Sequence, residues 1–201
     1  MRLALSAIAA ALLAACTSQP DYRASDSTPP TVPSVDLDRY AGLWYEIARY
    51  PNGFERNCTG VTAEYGLNSD GTVSVTNTCF KGSLDGEKTV AEGKARIVEG
   101  SGNSKLKVKF APAWVPFAEG DYWVLALEPD YSAALVGSPD GKYLWILSRT
   151  AQLDGKTLER LKTRAEELGY ETAPLEMTLQ SEQGGRFSRA LVGEPNEPSQ
   201  S

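Results

Sequence analysis

The chain of 201 residues contains no histidine, three cysteines and two methionines. It also has no apolar run of the roughly 20 residues that a membrane-spanning helix needs. The lack of histidine removes the commonest general base and the commonest zinc ligand. Gly-rich phosphate loops, Cys-x-x-Cys pairs and Gly-x-Ser-x-Gly elbows are missing too. The formal net charge of −6 argues against a nucleic-acid partner and against electrostatic adhesion to anionic lipid. We therefore expect no enzyme, and no catalytic residues, metal ligands or cofactors.

The amino terminus has the pattern of an export signal. Arg2 supplies a short positive region, residues 3–12 form an apolar run, and Leu13-Ala14-Ala15-Cys16 forms a small-residue cleavage site. This box resembles the processing site of bacterial lipoproteins. We therefore predict a signal peptide over residues 1–15 and a lipid on Cys16.

The sequence predicts one domain between two flexible segments. Residues 16–35 are rich in Pro, Ser and Thr and are predicted to form a lipidated tether. The domain spans residues 36–182, and residues 183–201 form a flexible tail. Thr17, in place of Asp after the lipidated cysteine, favours the outer membrane of a bacterial cell envelope, with the domain facing the periplasm. The alternative is an ordinary secretory signal cut near Ala15.

The other two cysteines form an even pair in an oxidising compartment. Between Cys58 and Cys79, alternating apolar residues on both sides of Asn68-Ser69-Asp70-Gly71 predict a β-hairpin. A turn near Ser69 places the two cysteines almost opposite each other, so a disulfide is geometrically plausible. The alternative is a pair of buried thiols.

Short alternating segments separated by Gly and Pro turns predict an all-β fold, an eight-stranded antiparallel up-and-down β-barrel. The strands are expected around Trp44, Tyr65 and Val75, and over 88–98, 105–110, 122–127, 133–136 and 142–149. A barrel of eight strands is just wide enough for packed side chains or one small ligand. Leu158, Leu161, Ala165 and Leu168 then follow helical spacing, which predicts one C-terminal α-helix on the barrel wall. Asp154 is its candidate N-cap and Gly169 its stop, and a short strand is expected near 175–179.

Two distant runs suggest how one end of the barrel closes. The first is Gly42-Leu43-Trp44-Tyr45, and the second is Tyr143 to Arg149, in which Trp145 and Arg149 share a face at period 2. An arginine on the inner face is costly unless a group receives it. The face of a tryptophan ring can receive the guanidinium, and this cation–π contact contributes about 0.5 to 2 kcal/mol of stabilisation. We predict that Arg149 stacks on Trp44 beside Gly42.

These features resemble the lipocalin family. Residues 40–50 resemble its first conserved segment, in the form found in bacterial outer-membrane lipoproteins and apolipoprotein D. Residues 128–136 resemble the second segment and residues 147–150 the third. The resemblance implies a barrel with a helix on its wall and an apolar cavity.

The resemblance also implies a function. We expect a membrane-anchored protein that binds, stores or transports long-chain fatty acids, lysophospholipids or similar lipids in the barrel. Strand parity and the resemblance to apolipoprotein D together give four wall residues, Tyr65, Phe110, Tyr122 and Trp145, and one polar contact for a head group, Asn77. Expected partners are a lipid ligand and, through lipidated Cys16, the membrane. A filled structural barrel and a lipocalin-fold enzyme remain alternatives, and a homodimer is one of the open oligomeric states.

Overall fold

The computed structural model describes residues 19–110 and 119–181. Cys16 and the predicted tail 183–201 lie outside these residues. The elements are α1 (Leu37–Tyr40), β1 (Gly42–Arg49), β2 (Cys58–Leu67), β3 (Val73–Lys81), β4 (Lys88–Ile97), β5 (Lys105–Phe110), β6 (Glu119–Leu127), β7 (Ala133–Gly137), β8 (Leu144–Ser148), α2 (Gly155–Glu167) and β9 (Glu176–Met177). In the described part of the chain, no helix is long and apolar enough to cross a membrane.

Strands β1 to β8 form a closed antiparallel barrel. Each strand pairs with the next along the chain, and β1 pairs with both β2 and β8. Strand β9 pairs with the end of β1, beyond its pairing with β2. The predicted eight-stranded up-and-down barrel is thus confirmed, with one short extra strand. We call the end at Gly42 and Arg149 the closed end, and the end at Arg49 and Leu144 the open end.

Period-2 alternation divides the apolar residues into two clusters. One cluster fills the interior around Trp44, and the other lies between the outer face of the sheet and α2. The Asp154 carboxylate caps α2, accepting from the backbone amides of Lys156 at 3.1 Å and Thr157 at 3.0 Å. Leu161 and Ala165 on α2 are buried. The helix therefore packs on the barrel wall as predicted.

A disulfide joins Cys58 and Cys79, with their Cα atoms 5.4 Å apart. An irregularity in the pairing of β2 with β3, between Cys58 and Gly60, leaves Cys79 opposite Val61. The two cysteines are therefore offset in register rather than directly paired, yet remain within bridging distance. The predicted bridge is confirmed.

The predicted tether is not flexible over residues 19–35, because these residues lie against the barrel. The backbone amide of Tyr22 donates to Gly141 O at 3.1 Å, and that of Val32 donates to Val124 O at 3.0 Å. We call residues 19–35 the N-terminal strap. It runs from the open end along the wall to α1 at the closed end.

Widely spaced side chains hold the strap in place. The Tyr22 ring packs edge-on against Tyr50 at 4.8 Å, and the Arg23 guanidinium lies 5.4 Å from the Tyr170 ring centre. Val35 is buried in the interior cluster. Composition indicated a tether because few strap residues are apolar. It gave no sign that the backbone groups of the strap find partners on β6 and on neighbouring loops.

Candidate ligand-binding cavity

The closed end is built around Arg149, as the sequence predicts. Its guanidinium carbon lies 3.9 Å from the Trp44 ring centre. Its Nη1 donates to Leu43 O at 2.8 Å, and its Nη2 donates to Tyr40 O at 3.0 Å. Gly42 has φ +91°, and an added Cβ would lie 3.6 Å from Arg149 Nη1. A side chain at Gly42 would thus be strained by the backbone conformation, while its Cβ would make an ordinary contact with the guanidinium.

Three tyrosines cross the interior above this closed end: Tyr40 and Tyr65 are buried, and Tyr122 is partly buried. The Tyr122 hydroxyl lies 2.8 Å from the Tyr40 hydroxyl and donates to the Tyr65 hydroxyl at 3.0 Å. Burial raises the pKa of all three phenols above the ordinary value, so the chain of hydroxyls is uncharged at physiological pH. We call these three residues the tyrosine floor.

Between the tyrosine floor and the open end lies a cavity of about 280 Å³. Its wall is mostly apolar and comes from strands around the barrel. It includes all five residues that the sequence predicts as ligand contacts: Tyr65, Asn77, Phe110, Tyr122 and Trp145. The structure brings these side chains around one space, and their contact with a ligand stays a prediction. Residues 111–118, between β5 and β6, lie outside the described part of the chain.

Aromatic rings border the cavity near the open end. Tyr143 and Trp145 are stacked with their ring centres 5.6 Å apart, and Phe54 packs on Tyr143 at 5.6 Å. Phe54 is 62% exposed and was not predicted. Phe54 lies in the loop after β1. The alternation of a strand does not extend into a loop, so the sequence pattern does not indicate which loop side chains border the cavity.

A buried charged cluster also borders the cavity, and sequence reasoning missed it. Glu46 and Glu55 line the wall. Arg49 Nη1 lies 3.3 Å from Glu46 Oε1, and Arg49 Nε lies 3.3 Å from Glu55 Oε2. The Thr178 hydroxyl donates to Glu46 Oε1 at 2.5 Å. We call these four residues the buried acid cluster.

Two carboxyl groups in this cluster face one guanidinium. Burial, and then the charge of Glu55, raises the pKa of Glu46 to about 8. Burial also raises the pKa of Glu55. Glu176 is 54% exposed and lies 3.7 Å from Arg49 on the side facing solvent. The raised pKa favours the protonated form of Glu46, which can donate as well as accept a hydrogen bond.

Asn77 adds a polar atom to the same wall. Its Oδ1 is buried and has no hydrogen-bond partner among the described residues. A buried carbonyl oxygen without a partner costs about 1 to 3 kcal/mol. A ligand group that donates to it would remove this cost. In the described residues, no group of His, Cys, Asp and Glu is arranged to hold a metal ion.

Comparison with known proteins decides the family. A family profile described as "Lipocalin-like domain" matches residues 35–180. This chain belongs to the lipocalin family. Lipocalins generally bind small hydrophobic ligands, and the cavity of this lipocalin has the position and lining for such a role.

Relatives of this lipocalin occur in plants and bacteria. "Temperature-induced lipocalin-1" from Arabidopsis thaliana is 43% identical over 156 residues, which cover 75% of this chain and 82% of that protein. "Outer membrane lipoprotein Blc" from Vibrio cholerae is 38% identical over 173 residues, which cover 86% of this chain and 95% of that protein. Among solved structures, insecticyanin from Manduca sexta matches with a TM-score of 0.63 at 25% identity, covering 83% of this chain and 90% of that one.

Proposed function

We propose that this lipocalin binds long-chain fatty acids, lysophospholipids or similar amphiphiles in its barrel and stores or carries them. The observation that carries the proposal is the open cavity of about 280 Å³, with Phe110 and Trp145 in its apolar wall. Apolar surface removed from water contributes about 25 cal/mol per Å², so an acyl chain gains most of its affinity here. The polar atoms of Glu46, Glu55 and Asn77 give the head group a place in the same wall.

The cavity supports binding over a filled structural barrel. In a filled barrel, side chains from opposite strands would meet at the centre and leave no space of this size. A lipocalin-fold enzyme is the other alternative, and the buried acid cluster is the part of the site that bears on it. We favour binding because both carboxyl groups already have partners within the protein. Arg49 and Thr178 contact Glu46, and Arg49 and Asn52 contact Glu55.

We further propose that Cys16 carries the lipid anchor and that the protein is attached to the outer membrane, facing the periplasm. The bacterial relatives named as outer membrane lipoproteins support this location. The sequence Leu13-Ala14-Ala15-Cys16 supplies the site. Mass analysis of the mature protein from a bacterial envelope is expected to show that the amino-terminal cysteine carries lipid: a diacylglyceryl group on its sulfur and an acyl chain on its amino group.

Tryptophan fluorescence tests the cavity. Delipidated protein is titrated with amphiphiles of 14 to 18 carbon atoms, and emission is expected to fall saturably as the chain reaches Trp145. Much of the quenching should disappear in Trp145→Phe. The matched control is Trp123→Phe, because Trp123 packs in the outer cluster and its ring faces Lys105 Nζ at 4.0 Å. Trp44 and Trp114 are retained in both variants, so the difference between the variants reports on Trp145 and Trp123.

The same protein can be extracted with organic solvent and its lipids identified by mass spectrometry. Recovery of one amphiphile class in a stoichiometric amount supports the proposal. If no amphiphile binds the delipidated protein at micromolar concentration, the cargo role fails and a structural role replaces it.

A further inference from the structure

Gln19, the first residue that the structure describes, lies at the open end of the barrel. The Gln19 side-chain amide donates to the carbonyl oxygens of Pro51 and, at 3.5 Å, Lys142. Pro51 lies two residues beyond the end of β1, and Lys142 lies two residues before β8. Tyr143, next to Lys142, lines the cavity. The first described residue therefore docks beside the cavity mouth.

Cys16 cannot be far from this docking point. Three residues of fully extended chain span about 10 Å, which limits the distance from Cys16 to Gln19 whatever path the chain takes. From Gln19 the N-terminal strap runs away from the mouth, towards α1 at the closed end. An anchor on Cys16 is thus tied to the open end and separated from the closed end by the length of the barrel.

The exposed apolar side chains have the same bias. Five large apolar side chains are exposed between residues 19 and 181, leaving out 111–118. Four lie on the half of the barrel next to the mouth: Phe54, Val90, Met177 and Leu179. Only Leu67, at the end of β2, lies at the closed end. Exposed apolar groups gathered at one end are typical of a surface that meets lipid or another protein.

We propose that the mouth of the cavity faces the membrane surface to which the protein is anchored, so that an amphiphile passes between bilayer and barrel across the mouth. The inference rests on lipidation of Cys16 and, for the cargo, on the proposed function. The occupant of the apolar end is a lipid surface because the anchor and the exposed apolar groups coincide there. Since the chain has a net charge of −6, acyl and apolar contacts hold the mouth to the membrane, and salt has little effect on the orientation.

Two labelled variants of the mature lipoprotein test this orientation. Arg56→Cys places a fluorophore in the exposed loop at the open end, and Asp38→Cys places one on α1 at the closed end. Each is reconstituted in vesicles of phosphatidylethanolamine and phosphatidylglycerol that contain a lipid with a nitroxide head group. Quenching at position 56 is expected to exceed quenching at position 38 several-fold, because nitroxide quenching requires close approach.

A matched variant separates the short anchor from other causes. An insertion of about 15 Gly and Ser residues between positions 18 and 19 lengthens the reach well beyond 10 Å while leaving the barrel unchanged. The difference between positions 56 and 38 should then shrink, and transfer of a fluorescent fatty acid from vesicles into the cavity should slow. Equal quenching at both positions of the original chain overturns the inference, as does stronger quenching at position 38. A mature protein without lipid on Cys16 overturns it as well.

Failure of the proposed function has a different signature. Binding in solution is measured on the chain expressed without residues 1–15 and carrying Cys16→Ser, which needs no membrane. Loss of binding there removes the cargo but leaves the quenching pattern intact. If binding in solution is normal but position 56 is not quenched more than position 38, the proposed orientation is wrong and the proposed cargo role stands.

Discussion

Arg149 and Trp44 meet face to face at the closed end, 3.9 Å from guanidinium carbon to ring centre. The Trp44 indole donates to Tyr40 O at 2.8 Å, and Arg149 Nη2 donates to the same oxygen at 3.0 Å. One carbonyl thus joins the ring and the cation. The pair ties β1 to the chain that follows β8 and to α1.

Substitutions in this pair should affect stability and leave ligand preference unchanged. Trp44 is fully buried, and Trp44→Ala should lower the free energy of unfolding by about 3 to 5 kcal/mol. Arg149→Ala should also destabilise, because it leaves backbone carbonyls without donors. Arg39→Ala is the control, since Arg39 lies equally close to a ring, that of Tyr131, but is exposed. Urea denaturation measures all three. A changed order of ligand affinities in Arg149→Ala at normal stability would contradict a structural role.

The disulfide should stabilise the exported protein. Cys58 and Cys79 are 21 residues apart, and closing such a loop contributes about 3 kcal/mol in the chain-entropy description. Reduction of the disulfide should raise the intact mass by the mass of two hydrogen atoms. The double variant Cys58→Ser/Cys79→Ser should unfold at a lower urea concentration. An unchanged mass after reduction would show that the bridge does not form.

The tyrosine floor gives a test that separates packing from ligand contact. Tyr122→Phe keeps the ring but removes the hydroxyl that joins Tyr40 to Tyr65. Two buried phenols lose a partner, so we expect destabilisation of about 1 to 3 kcal/mol with little change in affinity for an acyl chain. Tyr122→Ala also removes wall surface and should weaken binding. Equal affinities for the two variants and the original chain would place Tyr122 outside the ligand site.

Glu46 should make stability fall as pH rises. Its pKa rises from 4.5 to about 8 on folding, so between these values the folded state holds more protons than the unfolded state. The stabilisation is complete below pH 4.5 and is lost as pH increases through about 8, with a slope of up to about 1.4 kcal/mol per pH unit. Glu46→Gln stays neutral and should flatten this slope in thermal unfolding. The exposed Glu159→Gln is the control. A slope unchanged by Glu46→Gln would show that Glu46 is ionised in the folded protein.

Head groups of different charge should be distinguished. Among the described residues, the cavity wall contains Glu46, Glu55, Asp121 and the free Asn77 oxygen, but no lysine or arginine. A fatty-acid carboxylate only accepts hydrogen bonds, whereas an amine or alcohol donates them. At pH 8, tetradecylamine and tetradecanol should therefore bind at least as tightly as tetradecanoate. Tighter binding of tetradecanoate than of both would show that Arg49 turns from its carboxylates towards the ligand.

Strand parity predicted the wall of the cavity well. Tyr65, Tyr122 and Trp145 lie on β2, β6 and β8, and strand parity together with the resemblance to apolipoprotein D indicates their inward direction. Glu46 lies two residues after Trp44 on β1, so strand parity also indicates that the Glu46 side chain points inward. The sequence therefore indicates one of the four residues of the buried acid cluster.

The positions of Arg49 and Glu55 in this cluster depend on irregular backbone. A register shift between Glu46 and Ala48 turns the end of β1, so that Arg49 joins Glu46 although odd positions such as Tyr45 face outward. Glu55 comes from a loop and has no period at all. Both need the folded chain, as does the N-terminal strap, whose partners on β6 and on several loops lie far away in the sequence.

The sheet separates the two apolar clusters, and this gives the fold room for change. Leu144, Ile146, Leu161 and Ala165 pack outside the barrel and share no side chain with the cavity wall. Substitutions at Phe110 or Asn77 therefore alter the binding space without loosening the helix from β6 and β7. A descendant of this chain can acquire a new cargo through changes on one face of the sheet, while the other face keeps it folded.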